Sequence, residues 1–138
     1  MPSPNVERLA GAYGLWAESK GSSTEHWLDL LADEVDFRSF ADSLPQIDFA
    51  QPYRKKEEVR RYLDGLVGGW EMIAFEVDRF IEQGDDVVMV GRTAWRNRQT
   101  GKTIDTLKVD LWRFRDDKAV SYMELIDTAQ LVECCRSD

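Results

Sequence analysis

The chain has 138 residues, 43% of them hydrophobic, and carries a formal charge of −8. Its length suits one domain, 1–138, with a real core, and leaves no room for a second. The acidic balance, with no basic run longer than Arg54-Lys55-Lys56, speaks against a nucleic-acid partner, and no apolar stretch nears the ~20 residues that span a bilayer.

The opening Met1-Pro2-Ser3-Pro4 lacks the basic and apolar regions of a secretory leader, so a cytoplasmic protein is expected. Asn5 can cap a first helix in which Val6, Leu9, Tyr13 and Trp16 recur at helical spacing, ending near Lys20-Gly21. Ser22-Ser23-Thr24-Glu25 has the spacing of a capping box, and Trp27, Leu28 and Leu31 give a short second helix one apolar face. A short strand follows, with Val35, Phe37 and Ser39 alternating against Asp36, Arg38 and Phe40. The stretch from Ala41 to Gln51 carries Pro45 and no clear period, and reads as a loop or cover segment. A third helix is predicted from near Pro52, with Val59, Tyr62, Leu63 and Leu66 on one stripe and Gly68-Gly69 at its end.

From Trp70 the pattern turns strand-like. Gln83-Gly84-Asp85, Arg98-Gln99-Thr100-Gly101-Lys102 and Asp116-Asp117 divide the rest into pieces at about 70–82, 86–97, 103–115 and 118–127, which predicts an antiparallel meander. Three helices covering one face of it make an α+β domain. Cys134 and Cys135 are neighbours, where a disulfide would be strained, so two free thiols are expected. A single histidine, His26, and the lack of a spaced Cys/His set predict no metal site.

The most informative residue is Asp110, within Leu107-Lys108-Val109-Asp110-Leu111-Trp112-Arg113-Phe114, whose apolar residues fall on both strand faces. A carboxylate in such surroundings must be hydrogen-bonded, paired or protonated. If Asp116-Asp117 is a two-residue turn, facing residue numbers sum to 233, so Asp110 faces Met123 and Thr106 faces Asp127. Asp110, Asp127, Thr106, Lys108, Trp112, Ser121 and Met123 then share a face, with the two carboxylates about 13 Å apart at ~3.3 Å per residue. The preceding hairpin leaves two registers open. One sets Gly91 opposite Asp110 beside Thr93 and Trp95; the other turns Arg92 and Val90 to that face, where Arg92 could hold a carboxylate ionised. Trp16, Phe37, Trp70, Trp95 and Trp112 are candidates for an aromatic pocket wall.

The order of helices, short strand, helix and four-strand meander resembles the cone-shaped nuclear-transport-factor-2-like (cystatin-like) fold. The resemblance covers nearly the whole chain, and its anchors are Leu31-Ala32-Asp33-Glu34-Val35-Asp36-Phe37-Arg38-Ser39, Val109-Asp110-Leu111-Trp112-Arg113-Phe114 and Glu124-Leu125-Ile126-Asp127-Thr128-Ala129. These look most like the SnoaL-like group, beside ketosteroid isomerases and limonene epoxide hydrolases. The resemblance implies three N-terminal helices packed on a strongly curved antiparallel sheet. It also places Asp110, and Tyr13 from the first helix, where the isomerases carry a neutral Asp and a Tyr that donate to an oxyanion. Where those enzymes have their general-base Asp, this chain offers Ser39. Arg92 and Asp127 match two members of the hydrolases' Asp-Arg-Asp set, and Ala94 replaces the third.

Together these readings predict a protein that binds an apolar small molecule and needs no cofactor. Asp110 would be a neutral donor, Asp127 an ionised proton acceptor nearer the rim, and Tyr13 a partner of Asp110. Trp16, Phe37, Ser39, Arg92, Trp95, Trp112 and Met123 would line the ligand site. The alternative is a non-catalytic ligand-binding or protein-interaction module on the same fold. Apolar residues on both faces of the meander predict a homodimer built on the face away from the helices.

Overall fold

The computed structural model describes residues 2–137; Met1, part of the opening read above, and Asp138 lie outside them. Helix α1 spans Pro4–Glu18. Its cap is Ser3 rather than Asn5: the Ser3 hydroxyl accepts from Val6 N at 3.2 Å, and Pro4 takes the first turn, where no amide hydrogen is needed. Leu9, Ala12, Tyr13 and Trp16 form its buried stripe. Helix α2 is Thr24–Leu30, with Ser23 at its N-cap and no side-chain capping bond, so the expected capping box is not formed.

Strand β1, Leu31–Ser39, buries Val35, Phe37 and Ser39 as the alternation predicts. A short 3-10 turn, Phe40–Ser43, leads into the cover segment. Helix α3 is Lys56–Gly69 and starts later than expected, because Tyr53–Lys55 is drawn out into strand β2 against β1. Glu58 then reaches back to accept from Lys55 N at 3.1 Å.

The meander follows as β3 (Trp70–Gln83), β4 (Asp86–Asn97), β5 (Thr103–Arg115) and β6 (Lys118–Ile126), all antiparallel to their sequence neighbours. The sheet order is β2-β1-β6-β5-β4-β3, and β1 joins β6 in parallel. The sheet is therefore mixed rather than wholly antiparallel. Unpaired Ile73 and Asp78 make two bulges in β3, each of which bends the strand. A fourth helix, α4 (Thr128–Cys135), follows the last strand and was not anticipated; it is short and packs Leu131 and Cys134 inward. Both cysteines are free thiols.

The hinge of the whole site is the β5–β6 hairpin. Asp116 and Asp117 both have positive φ, 50° and 68°, the twist that a two-residue hairpin needs. Arg115 faces Lys118 and Phe114 faces Ala119, as the sum of 233 requires. Val120 is then left unpaired in a bulge, and from Arg113↔Ser121 onward the sum is 234. One extra residue exchanges the two faces of β6. Asp110 consequently faces Glu124, Tyr122 and Glu124 point inward, and Met123 points outward.

All four helices lie toward the inner face, which carries the even-numbered residues of β5 and the odd-numbered residues of β4. Among the described residues no helix is long and apolar enough to cross a membrane.

Candidate active site

Tyr13, Trp16, Phe37, Trp95, Asp110 and Trp112 all line one internal cavity of about 90 Å³. So do the other two tryptophans, Trp27 and Trp70, and two further tyrosines, Tyr62 and Tyr122. In its wall lies a cluster of charged and hydroxyl groups. Asp110 is 1% exposed and Lys108 6%, and Glu124 is likewise buried. Residues 108 and 110 share a face of β5, while the bulge at Val120 sets Glu124 directly across from Asp110.

Lys108 Nζ donates to Asp110 Oδ1 at 2.8 Å, to Glu124 Oε2 at 2.6 Å and to the Tyr122 hydroxyl at 3.2 Å. Its three ammonium hydrogens are thereby matched. The Tyr122 hydroxyl donates to Asp110 Oδ1 at 3.0 Å. Tyr13, carried in by α1, donates to Asp110 Oδ2 and accepts from Trp112 Nε1 at 2.9 Å. On the other side Glu124 accepts from Tyr62 of α3 at 2.8 Å and from Ser39 at 2.7 Å. The parallel β1–β6 pairing, with Ser39 beside Glu124, makes that last bond possible.

These surroundings set the two carboxyls apart. Burial pushes Asp110 above the usual carboxylate range, against the opposing pull of Lys108 and of the hydroxyl of Tyr13. Burial presses Glu124 the same way, but Lys108 and the hydroxyls of Ser39 and Tyr62 outweigh it and hold Glu124 below its ordinary value. Burial would lower Lys108, yet Asp110 and Glu124 keep it above the usual lysine range. Burial, with the neighbouring carboxylates, raises the phenols of Tyr13, Tyr62 and Tyr122. The cluster therefore holds a fixed Lys108–Glu124 ion pair next to a more proton-avid Asp110.

Four of the predicted residues, Asp127, Met123, Arg92 and Ser39, are not among those lining the cavity. Asp127 is exposed and caps α4, accepting from Gln130 N at 3.1 Å and Gln130 Nε2 at 2.8 Å, and those bonds hold its pKa below the ordinary value. It does not share the cavity with Asp110, because the bulge ends the expected register before residue 127 is reached. Met123 lies on the outer face opposite Leu111 for the same reason. Arg92 also points outward and pairs with Asp105 at 2.8 Å. Gly91, Thr93 and Trp95 take the inner face of β4, with Met89 rather than Gly91 opposite Asp110. Ser39 is buried as a hydrogen-bond partner of Glu124.

Two central residues escaped sequence reasoning. Lys108 shares the inner face of β5 with Asp110, yet its residue type gives no signal of a site, since a lysine is rarely buried unless paired. Glu124 sat in the recognised terminal segment, and only the unforeseen bulge turned it inward. Among the described residues no group of His, Cys, Asp and Glu side chains could hold a metal ion.

The chain matches the model of the SnoaL-like domain over residues 14–122. No curated protein matches it. Its fold is shared with solved structures of low sequence identity. A nuclear-transport-factor-2-like protein of unknown function from Burkholderia pseudomallei K96243 is 21% identical, with 99% of this chain and 100% of that one covered and a TM-score of 0.86. One from Burkholderia thailandensis E264 is 22% identical, covers 99% of each chain and has a TM-score of 0.80. TerC, co-crystallised with polyporic acid, is 23% identical, with 98% and 100% covered and a TM-score of 0.80.

Proposed function

Since the chain belongs to the SnoaL-like domain family, with the nuclear-transport-factor-2-like fold, we propose that it binds an apolar cyclic molecule in the inner cavity and moves a proton on it without a cofactor. The observation that carries this reading is the pairing of Asp110, sealed in an aromatic wall, with the hydroxyl of Tyr13. Trp112 Nε1 occupies one lone pair of Tyr13. When Asp110 is ionised, the Tyr13 hydrogen points to it. When Asp110 holds a proton, that proton bridges to the Tyr13 oxygen, and the phenolic hydrogen is free to meet a ligand oxygen. The pair is thus a donor for a developing oxyanion, and Glu124, kept ionised by Lys108, is the proton acceptor in the role first given to Asp127.

The test is exchange of the α-hydrogens of cyclic ketones with solvent deuterium, followed by proton magnetic resonance. Wild-type protein is expected to accelerate exchange, and Asp110→Leu to lower that acceleration by roughly a hundredfold to a thousandfold, the cost of one lost oxyanion donor. Asp110→Leu retaining full exchange would remove Asp110 from the reaction.

A second reading is binding without turnover, and one observation favours it. Among the described residues the buried side-chain polar atom left without a partner is Ser23 Oγ, so the cluster is satisfied within itself. A carboxylate holding three donors is a weak base. Ligand binding with no exchange above background, for any ketone bound, would select this reading.

The outer face of the sheet is proposed to meet a second copy of the chain. Ile81, Leu107 and Leu111 are exposed there, around half-buried Val88, Val90 and Val109. Arg92–Asp105 and Arg113–Asp86 pairs flank the patch, so both signs of charge are present for a self-complementary twofold contact.

A further inference from the structure

Resting on the reading that the cavity is a ligand site, we propose that it takes a neutral molecule of single-ring size bearing one hydrogen-bonding oxygen, and rejects both anions and fused-ring compounds. Size gives the first limit. The cavity measures about 90 Å³, whereas benzene occupies an engineered cavity of about 150 Å³ and drug-sized ligands need roughly 300–1,000 Å³. What narrows it is aromatic stacking: Trp27 lies on Trp112 at 5.7 Å and 7°, and Phe37 on Tyr122 at 4.5 Å and 23°. Rings locked face to face cannot turn aside without losing that packing. Leu66, on α3, lines the cavity but is only half-buried, so it can yield the space of a few methylene groups. That admits one ring and stops short of two.

Charge gives the second limit. Asp110 and Glu124 against Lys108 leave the cluster with a formal charge of −1 when both carboxyls are ionised. Among the described residues lining the cavity Lys108 is the one cation, and Asp110, Glu124 and Tyr122 take its three hydrogens. Whether the cluster carries −1 or, with Asp110 protonated to release the Tyr13 hydrogen, zero, an entering anion would meet no free cation in a poorly solvated space. Hydrogen bonding gives the third. The indole hydrogen of Trp95 goes to Thr93 at 2.7 Å, and Tyr62 donates to Glu124. The Tyr13–Asp110 exchange releases a donor inward beside the acidic cluster, and there one ligand oxygen is matched.

All five tryptophans of the chain line the cavity, which makes their fluorescence a direct reporter. Three probes separate the limits: cyclohex-2-enone (one ring, neutral), cyclohex-1-ene-1-carboxylate (one ring, anionic) and 1-decalone (two fused rings, neutral). Each is titrated by fluorescence and calorimetry into wild type, Leu66→Ala and, as a second enlarging change, Trp16→Leu. Wild type is expected to bind the enone at least tenfold more tightly than either other probe, and Leu66→Ala or Trp16→Leu to gain at least tenfold for 1-decalone. Wild-type binding of 1-decalone or the carboxylate as tight as that of the enone would overturn the inference and leave the binding reading intact. Folded enlarged variants that gain nothing for 1-decalone would also overturn it. No binding of any probe to any of the three proteins would overturn the binding reading and this inference with it.

Discussion

Replacing Lys108 by Met keeps most of the buried stem and removes the charge, leaving Asp110 and Glu124 opposite one another without a cation. The two cannot both stay ionised there without a large penalty, so the cheapest native state of the variant carries a proton on Glu124 that the wild type does not. In the wild type Glu124 is held below its ordinary value of 4.5. Keeping such a group protonated at pH 7 costs roughly 3.4 kcal/mol, about 1.36 kcal/mol for each of some 2.5 pH units, and close to 0.7 kcal/mol at pH 5. In the variant the folded-state value of Glu124 lies above the unfolded one. Its native state then holds an extra proton, and stability falls as pH rises between about 5 and 7. In the wild type the sign is opposite: the lowered Glu124 contributes stability above its unfolded value and loses it as pH falls through the folded one. Urea unfolding of both proteins at pH 5 and pH 7 measures the gap. A gap of about 3–4 kcal/mol at pH 7 that shrinks to about 1 kcal/mol at pH 5 is expected. A variant within about 1 kcal/mol of wild type at pH 7, or a gap that does not narrow on acidification, would refute the view that Lys108 holds buried carboxylates ionised.

Asp127→Ala removes an N-cap and should cost about 1 kcal/mol in thermal unfolding while leaving the affinity for a cavity ligand within twofold. Gly65→Ala sets a methyl group 2.3 Å from Cβ of Phe49, so the cover segment must shift; a loss of about 1–3 kcal/mol and altered ligand affinity are expected by unfolding and calorimetry. Leu107→Lys on the outer face should convert a dimer into a monomer in sedimentation at micromolar concentration, with the fluorescence spectrum of the inner tryptophans unchanged. A monomeric wild type would refute the twofold contact.

Much of the fold was written in local signals. The four strands of the meander fall within a residue of their predicted ends, because each turn carries residues suited to it, Gly84 and Gly101 at positive φ among them. Helix α4 was missed because eight residues give barely two turns of pattern. The pairing of β1 with β6 was missed because a strand's alternation says which face is buried, not which strand lies beside it. Asp110 and Tyr13 were legible: an Asp in an apolar strand and a Tyr on an apolar helix stripe each announce an unusual environment. Asp127 was misplaced and Glu124 overlooked for a single reason, the bulge at Val120, which nothing in Ala119-Val120-Ser121 betrays. Lys108 shows the limit from the other side. Its burial depends on two carboxylates meeting it, and one of those is fixed only once the strands are paired.

The bonds that assemble the polar cluster join residues far apart in the chain: Tyr13 to Asp110 across 97 positions, Ser39 to Glu124 across 85 and Tyr62 to Glu124 across 62. Contacts of that span close long loops, and loop entropy must be overcome before they return anything. The meander can form from neighbouring hairpins, but the site needs the first helix, the first strand and the last strand together. The meander is therefore expected to form before the polar cluster. A growing chain on the ribosome has Lys108 and Asp110 in hand yet no site until residue 124 has emerged and β1 has found it. The same order runs backwards in the mature protein, where release of α1 or β1 from the sheet would silence the cavity while the hairpins still stand.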